Sequence, residues 1–255
     1  MNAPPVVDFI TRIYFSKGIE MKSCILLLAG LGLTTVAGVA AGQTSQVMKV
    51  TGTLTSPACK ISLSDGGEVK FGSFSRAILS PTQTTPIGSR TIDANVECTA
   101  ATVIAIKLTD NRATDKPAGN MSVKFDQIAP GPALQVAADN LFGLGKADNS
   151  KAIGAYAIRF GTPQVDGKGV SFLANNVTTA AAGWANLAFP AALFSHGRPY
   201  ITASTSASPS ATSAAIGSQF KFPMDVAVSL DVSSNIPGAG EVHFDGNATI
   251  EVFYL

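Results

Sequence analysis

Charge is scarce in this chain. Asp, Glu, Lys and Arg supply 14% of its 255 residues, against about 25% in an average domain. The formal net charge is +1. No basic stripe argues for nucleic acid or for an anionic membrane, so no nucleic-acid partner is expected. Histidine is scarcer still, with His196 and His243 alone. Neither has a His, Cys or Asp partner at ligand spacing, so ordinary surface histidines and no metal are expected. No Gly-x-Ser-x-Gly elbow and no His-Glu-x-x-His occurs. Gly143-Leu144-Gly145 lacks a third glycine and a following helix, and reads as turn chemistry rather than a phosphate cradle. The expectation is a protein that is not an enzyme and carries no cofactor.

Cysteine is nearly as rare. Of three, Cys24 follows Met21-Lys22-Ser23 and precedes an apolar stretch, Ile25-Leu26-Leu27-Leu28-Ala29. Small residues follow through Val39-Ala40-Ala41. A positive start, an apolar core and a small-residue exit predict a secretory signal peptide, with cleavage near Ala41–Gly42. A transmembrane anchor fits less well, because Gly and Thr break the apolar part. Residues 1–20 match no part of a signal. Residues 1–41 are thus expected to be removed and residues 42–255 to form one domain, large enough for a real core. In an exported chain the remaining pair, Cys59 and Cys98, is expected to form a disulfide. Closing that loop stabilises by roughly 4 kcal/mol in the chain-entropy model. A metal site or a nucleophile is the rival reading, with no nearby His or second Cys in its favour.

What is present is period-two alternation. Met48, Val50, Gly52 and Leu54 alternate with polar residues, predicting a first strand over 47–55. Further strands are predicted over 60–64, 68–72, 91–98, 101–109, 141–145, 152–160, 170–173 and 225–232. Along 91–98, Cys98 shares the face of Ile92, Ala94 and Val96, which aims it at the core. Residues 112–140 look irregular, and 204–218 is a Ser/Ala/Thr-rich loop. The last stretch, 241–255, carries Gly246, Ala248, Ile250, Val252 and Tyr254 on one face and Asn247, Thr249, Glu251 and Phe253 on the other. A strand that ends the chain has a free edge that something must cover. No amphipathic helix of normal length interrupts the pattern, so two packed antiparallel sheets tied by one disulfide are predicted, an all-β sandwich.

The run Val50-Thr51-Gly52-Thr53-Leu54-Thr55-Ser56-Pro57-Ala58-Cys59 resembles the opening of chaperone–usher pilus subunits. Phe71-Gly72, the alternating strand ending in Cys98 and the Gly-x-Ala-x-Ile-x-Val-x-Tyr-Leu ending match the same family in order. The likeness covers both ends of the chain and little of the middle, and is nearest to a long fimbrial-subunit-like branch. It implies an incomplete immunoglobulin-like sandwich whose missing strand leaves an apolar groove beside the terminal strand. A periplasmic chaperone, and then a neighbouring subunit, would fill that groove by β-augmentation. Carried over, Gly246, Ala248, Ile250, Val252 and Tyr254 would border the groove, and Cys59–Cys98 would be the disulfide. The implied partners are chaperone, usher and other pilus subunits; the implied location is the periplasm and then the cell surface. Residues 42–49 look short and polar for a donor strand, so the chain is expected to accept a strand rather than lend one.

A second reading is a secreted or tip-located adhesin, binding a host glycan or surface receptor through loops 112–140 and 175–217. Trp184 would then serve as a sugar-stacking platform, although a lone Trp is more often core. Asn176-Val177-Thr178 and Asn247-Ala248-Thr249 have the form of glycosylation triplets, which the bacterial resemblance discounts.

Overall fold

The structure is a computed structural model that describes residues 45–54, 56–178, 183–187, 192–238 and 241–255. The expected signal segment lies outside these residues. Among the described residues no helix is long and apolar enough to cross a membrane. The chain divides into two units, Met1–Gly52 and Thr53–Leu255.

In the first unit, residues 45–52 form no strand and are exposed. Val47, Met48 and Val50 are all more than four-fifths exposed. Residues 53 and 54, which open the second unit, are likewise exposed and unpaired. The predicted first strand over 47–55 is therefore not formed; Thr55 itself is outside the described residues. Alternation marks a segment able to sit with one face buried, but a strand also needs a neighbour to pair with.

The second unit holds β1 (Cys59–Leu63), β2 (Thr85–Thr102), β3 (Ile104–Asp110), β4 (Met121–Val123), β5 (Leu134–Val136), β6 (Leu141–Gly143), β7 (Gly154–Phe160), β8 (Gln164–Val165), β9 (Lys168–Gly169), β10 (Phe172–Asn175), β11 (Ala185–Asn186), β12 (Ala192–Leu193), β13 (Tyr200–Ala203), β14 (Gly217–Leu230) and β15 (Ala248–Tyr254). Among the described residues the remaining regular structure is short 3-10 turns, such as Arg76–Ile78, whose first turn is capped by the Ser75 hydroxyl. Every strand pairing is antiparallel. The predicted all-β class, with its one disulfide, is the observed one.

One sheet runs β1-β2-β14-β7-β12, with β6 beside β7 and the β8–β9 hairpin beside β14. The second runs β11-β10-β13-β3-β15. Their inner faces share one core, in which Ile92, Val96, Ile106, Leu108, Phe160, Phe172 and Phe222 are buried. The alternation that predicted the core face of β2 holds, because Ile92, Ala94 and Val96 are buried between exposed or half-buried neighbours.

The two long strands, β2 and β14, outrun their predicted lengths. The later strand is predicted to begin at residue 225, after Pro223, yet β14 continues through that proline. The register explains this. β8 pairs with Phe220 and Lys221, and the β7 ladder begins at Met224. The Pro223 carbonyl accepts from Gly161 N–H on that side. A proline nitrogen there faces the gap between two neighbouring strands, where no donor is needed. Gly88, at φ +104, sits where the β2–β14 register slips by one residue; a bulge favours glycine there, since other residues resist positive φ.

Both outer faces are partly covered. Residues 112–140, predicted to be irregular, include the β4–β5 hairpin. It packs Met121, Val123, Phe125 and Val136 against Ala155, Ala157 and Ala227 of the first sheet. On the second sheet Trp184 packs with Ala105 and Leu173.

Candidate functional site

The hydrogen-bond phase of β15 decides what its edge presents. Asn111 N–H donates to Asn247 O, and Leu255 N–H donates to Val103 O, at 3.0 and 3.1 Å. With the register Ala248↔Asp110 through Tyr254↔Ile104, the odd residues of β15 turn their backbone groups toward β3. In an antiparallel ladder the alternate residues then turn theirs outward. The backbone groups of Ala248, Ile250, Val252 and Tyr254 therefore face away from β3, and no further strand pairs there among the described residues. Ala248, Ile250 and Val252 are half-buried and pack on the core shared by the two sheets.

The opposite rim is β1, the edge strand of the other sheet. Thr99 N–H donates to Ala58 O at 2.9 Å. Cys59 and Cys98 are then a non-hydrogen-bonded pair, in keeping with their Cα separation of 4.0 Å. The backbone groups of Cys59, Ile61 and Leu63 consequently point outward as well. Two free strand edges, one from each sheet, border the same opening.

Between them lies a cavity of about 830 Å³. Its floor is the inner face of the first sheet, with Ile158, Met224, Val226 and Val228; its wall is Leu108, Ala248 and Ile250 of the second. Two strandless segments line its mouth, contributing Phe71 and Phe74 on one side and Val242 and Phe244 on the other. Phe74 stacks on Phe244 at 6.3 Å, and the Arg90 guanidinium lies 5.6 Å from the Phe71 ring centre. The predicted strand over 68–72 is one of these segments; its apolar side chains turn inward although it pairs with no strand. Burial pushes the Tyr156 phenol well above its ordinary range, with the Asp110 charge acting in the same direction.

The sequence-predicted residues divide along this cavity. Gly246, Ala248 and Ile250 line it. Gly246 precedes β15 rather than lying in it, and a side chain there would press the Tyr156 ring at 2.8 Å. Val252 and Tyr254 lie beyond the cavity, though their backbone groups continue its free edge. The Tyr254 hydroxyl accepts from Cys59 N–H at 2.8 Å, crossing from one sheet edge to the other. The strand predicted from Glu241 starts only at Ala248.

Cys59 and Cys98 form the expected disulfide, but its place differs from expectation. It joins neighbouring strands of one sheet instead of tying two sheets, and both residues are only half-buried. β1 and β2 pair directly, so the crosslink sits at the groove's rim.

Ion pairs hold the segment that leads into β15. Arg112 bonds to Asp245 and pairs with Asp115, which also meets Lys146 at 2.9 Å. The Lys146 bond, aided by the Thr114 hydroxyl, holds the Asp115 carboxyl below the ordinary carboxylate range. Asn111 bonds to Asn247 and Thr249.

Other predicted candidates are accounted for differently. Trp184 is 2% exposed and cannot offer a ring face to a sugar. His196 is no free surface residue: its Nε2 lies 3.0 Å from Leu141 O, and its ring packs on Phe142 and Phe194. His243 is exposed, 4.0 Å from the Glu241 carboxylate. Among the described residues no cluster of three metal-ligating side chains occurs. The strands over 152–160 and 225–232 are legible in the sequence, but not their place as the floor of the groove: β7 and much of β14 are buried on both faces, and which face borders an opening depends on what covers the other.

An all-β sandwich with an unfilled apolar opening at one edge is the class of protein these features define. A family model described as "Protein of unknown function (DUF1120)" matches residues 48–157. The chain is 33% identical to uncharacterized protein YhcF of Escherichia coli (strain K12) over 250 residues, covering 92% of this chain and all of that protein. It belongs to the same family as YhcF. Protein GltF of Escherichia coli (strain K12) is 28% identical over 149 residues, covering 57% of this chain and 58% of GltF. Among solved structures, the P pilus rod subunit PapA aligns with 82% of this chain and 98% of its own, at 11% identity and a TM-score of 0.31.

Proposed function

We propose that this protein is an exported structural subunit of a surface fimbria, assembled by β-strand complementation, with no catalytic role. The observation that carries the reading is the phase of β15. Its even residues turn outward-facing backbone groups to an open edge, and the apolar side chains of Ala248 and Ile250 to the adjoining cavity. A strand added there gains a hydrogen-bond ladder and a buried face together. Gly246, Ala248, Ile250, Val252 and Tyr254 form the receiving edge. A periplasmic chaperone lends the first strand, an usher exchanges it, and a neighbouring subunit supplies the last. Residues 1–41 are removed on export, and residues 42–255 form the subunit at the cell surface.

The same reading revises the expectation that the chain only accepts. Residues 48–54 are unpaired, and Met48, Val50 and Leu54 are 86%, 83% and 101% exposed with Gly52 between them. Burying each such side chain is worth roughly 1.5–3 kcal/mol. Seven residues of alternating pattern match the seven residues of β15. The chain is equipped to lend as well as to receive. The adhesin reading has lost two of its motives: Trp184 is buried, and part of 112–140 is folded onto the first sheet.

A synthetic peptide of residues 45–56 tests the proposal. Added in excess to the exported chain, it raises the melting temperature, as any ligand that binds only the folded state does. A peptide with Val50→Asp and Leu54→Asp leaves it unchanged. A stable monomer whose melting is indifferent to both peptides would overturn the reading.

A further inference from the structure

The groove is open at one end and shut at the other. Its lining on β15 stops at Ile250, and on β1 at Leu63. The next inward residues, Val252 and Ile61, do not line it. One step further, the Tyr254 side chain reaches across from the edge of one sheet to the edge of the other and accepts from Cys59 N–H at 2.8 Å. Tyr254 is 51% exposed, so the crossing is made at the rim and not in the core.

Both ends of this crossing are anchored. Behind Tyr254, Leu255 N–H donates to Val103 O, which keeps the chain end on β3. Behind the Cys59 amide, the disulfide and the β1–β2 ladder hold the strand in place. Cys59 also carries the first outward-pointing donor of β1, and the tyrosine hydroxyl occupies it. A visiting strand therefore finds neither space nor a free donor at this end.

We infer that Tyr254 is a crossbar that ends the groove and sets the register of the strand it receives. The inference rests on the strand-accepting reading above. Strand register slips in steps of two, because a one-residue slip would turn every apolar side chain outward. Backbone pairing alone does not choose among those steps, since each presents the same donors and acceptors. A stop does choose. By holding the two edges together beyond Ile250, the crossbar makes the level of Ile250 the last at which a visiting side chain is buried. Met48, Val50, Gly52 and Leu54 of a second copy then have one seating in the groove. Without the crossbar the edges of β1 and β15 are free to part, the groove lengthens toward Val252, and a second seating opens.

Photo-crosslinking reads this directly. The probe is the peptide of residues 45–56 carrying photo-methionine at position 48 or photo-leucine at position 54, bound to the full exported chain. Adducts are mapped by mass spectrometry. The wild type gives one set of adduct positions for each probe. Tyr254→Ala gives that set and a second, displaced by two residues along β15. Tyr254→Phe gives the same doubling, because a ring not bonded to Cys59 is free to swing out; doubling in Tyr254→Ala alone assigns the stop to the ring rather than to its hydrogen bond. A single unchanged set in both variants overturns the inference while the strand-accepting reading stands. Absence of any adduct with wild type overturns that reading instead. Where Tyr254→Ala fails to fold, Tyr254→Leu, which lacks both the ring and the hydroxyl, takes its place in the same comparison.

Discussion

Asp166 shows how much one side chain can organise in a chain poor in charge. It takes φ +48 ahead of Gly167, in the turn that joins β8 to β9. Its carboxylate accepts from the backbone N–H groups of Gln219 and Ser218, at 2.9 and 3.0 Å, and from the Ser218 hydroxyl. Those bonds, the Gln219 amide foremost, hold its carboxyl below the ordinary value of 3.8. A carboxyl whose folded pKa is depressed adds stability above its unfolded value, and that stability is lost as pH falls through the folded one. The wild type should therefore lose denaturant resistance progressively once pH drops below about 3.8. Asp166→Asn should be less stable at neutral pH and flatter across that acid range. Parallel curves of denaturant midpoint against pH for the two proteins would refute this.

The β4–β5 hairpin is held on the first sheet by polar bonds as well as by its apolar residues. Asp225, fully buried on β14, accepts from Gln127 and Ile128 N–H at 3.2 and 2.9 Å. Arg159, its cross-strand neighbour on β7, donates to the Ile128 and Ala129 carbonyls and stacks over Phe125 at 4.0 Å. Burial lowers the Arg159 pKa while the Asp225 charge opposes that shift. Among the described residues Arg159 Nε and Asp225 Oδ1 have no hydrogen-bond partner, so part of the cost of burying these charges is left uncompensated. Removing the Asp225 carboxylate takes the acceptor from the Gln127 and Ile128 N–H groups. Asp225→Ala should cost about 2 kcal/mol and speed hydrogen exchange at Gln127 and Ile128. Unchanged protection at those two amides would show that the apolar contacts alone hold the hairpin.

Taken as a whole, the second unit is a sandwich with both outer faces partly covered, by the hairpin on one and Trp184 on the other, and an apolar opening at the edge between β1 and β15. A charge placed in that opening would have to be desolvated by any strand that enters. Changing Ala248 and Ile250 to Asp should thus abolish capture of the 45–56 peptide, while Cys59 and Cys98, which pair through β1 and β2, still close their disulfide. Thiol titration and peptide binding on the same preparation separate the two effects. Capture that survives both substitutions would mean that β15 is not the docking edge.

The alternation of residues 246–254 was readable in the chain, and with it the face that packs inward, because side-chain direction along a strand is a local property with a period of two. The all-β class followed from the same signal, and the Cys59–Cys98 pair from there being so few cysteines to choose among. Pairing is not local. Residues 48–54 alternate as clearly as 248–254, yet one segment is unpaired and the other lies on β3. β14 runs through Pro223 because its neighbours change there. Trp184 is interior because a distant strand passes beneath it. Which edge stays open, how deep its cavity is and that Tyr254 bars one end all depend on contacts between residues up to 195 positions apart. Such contacts arise only when the sheets pack, and no local pattern encodes them.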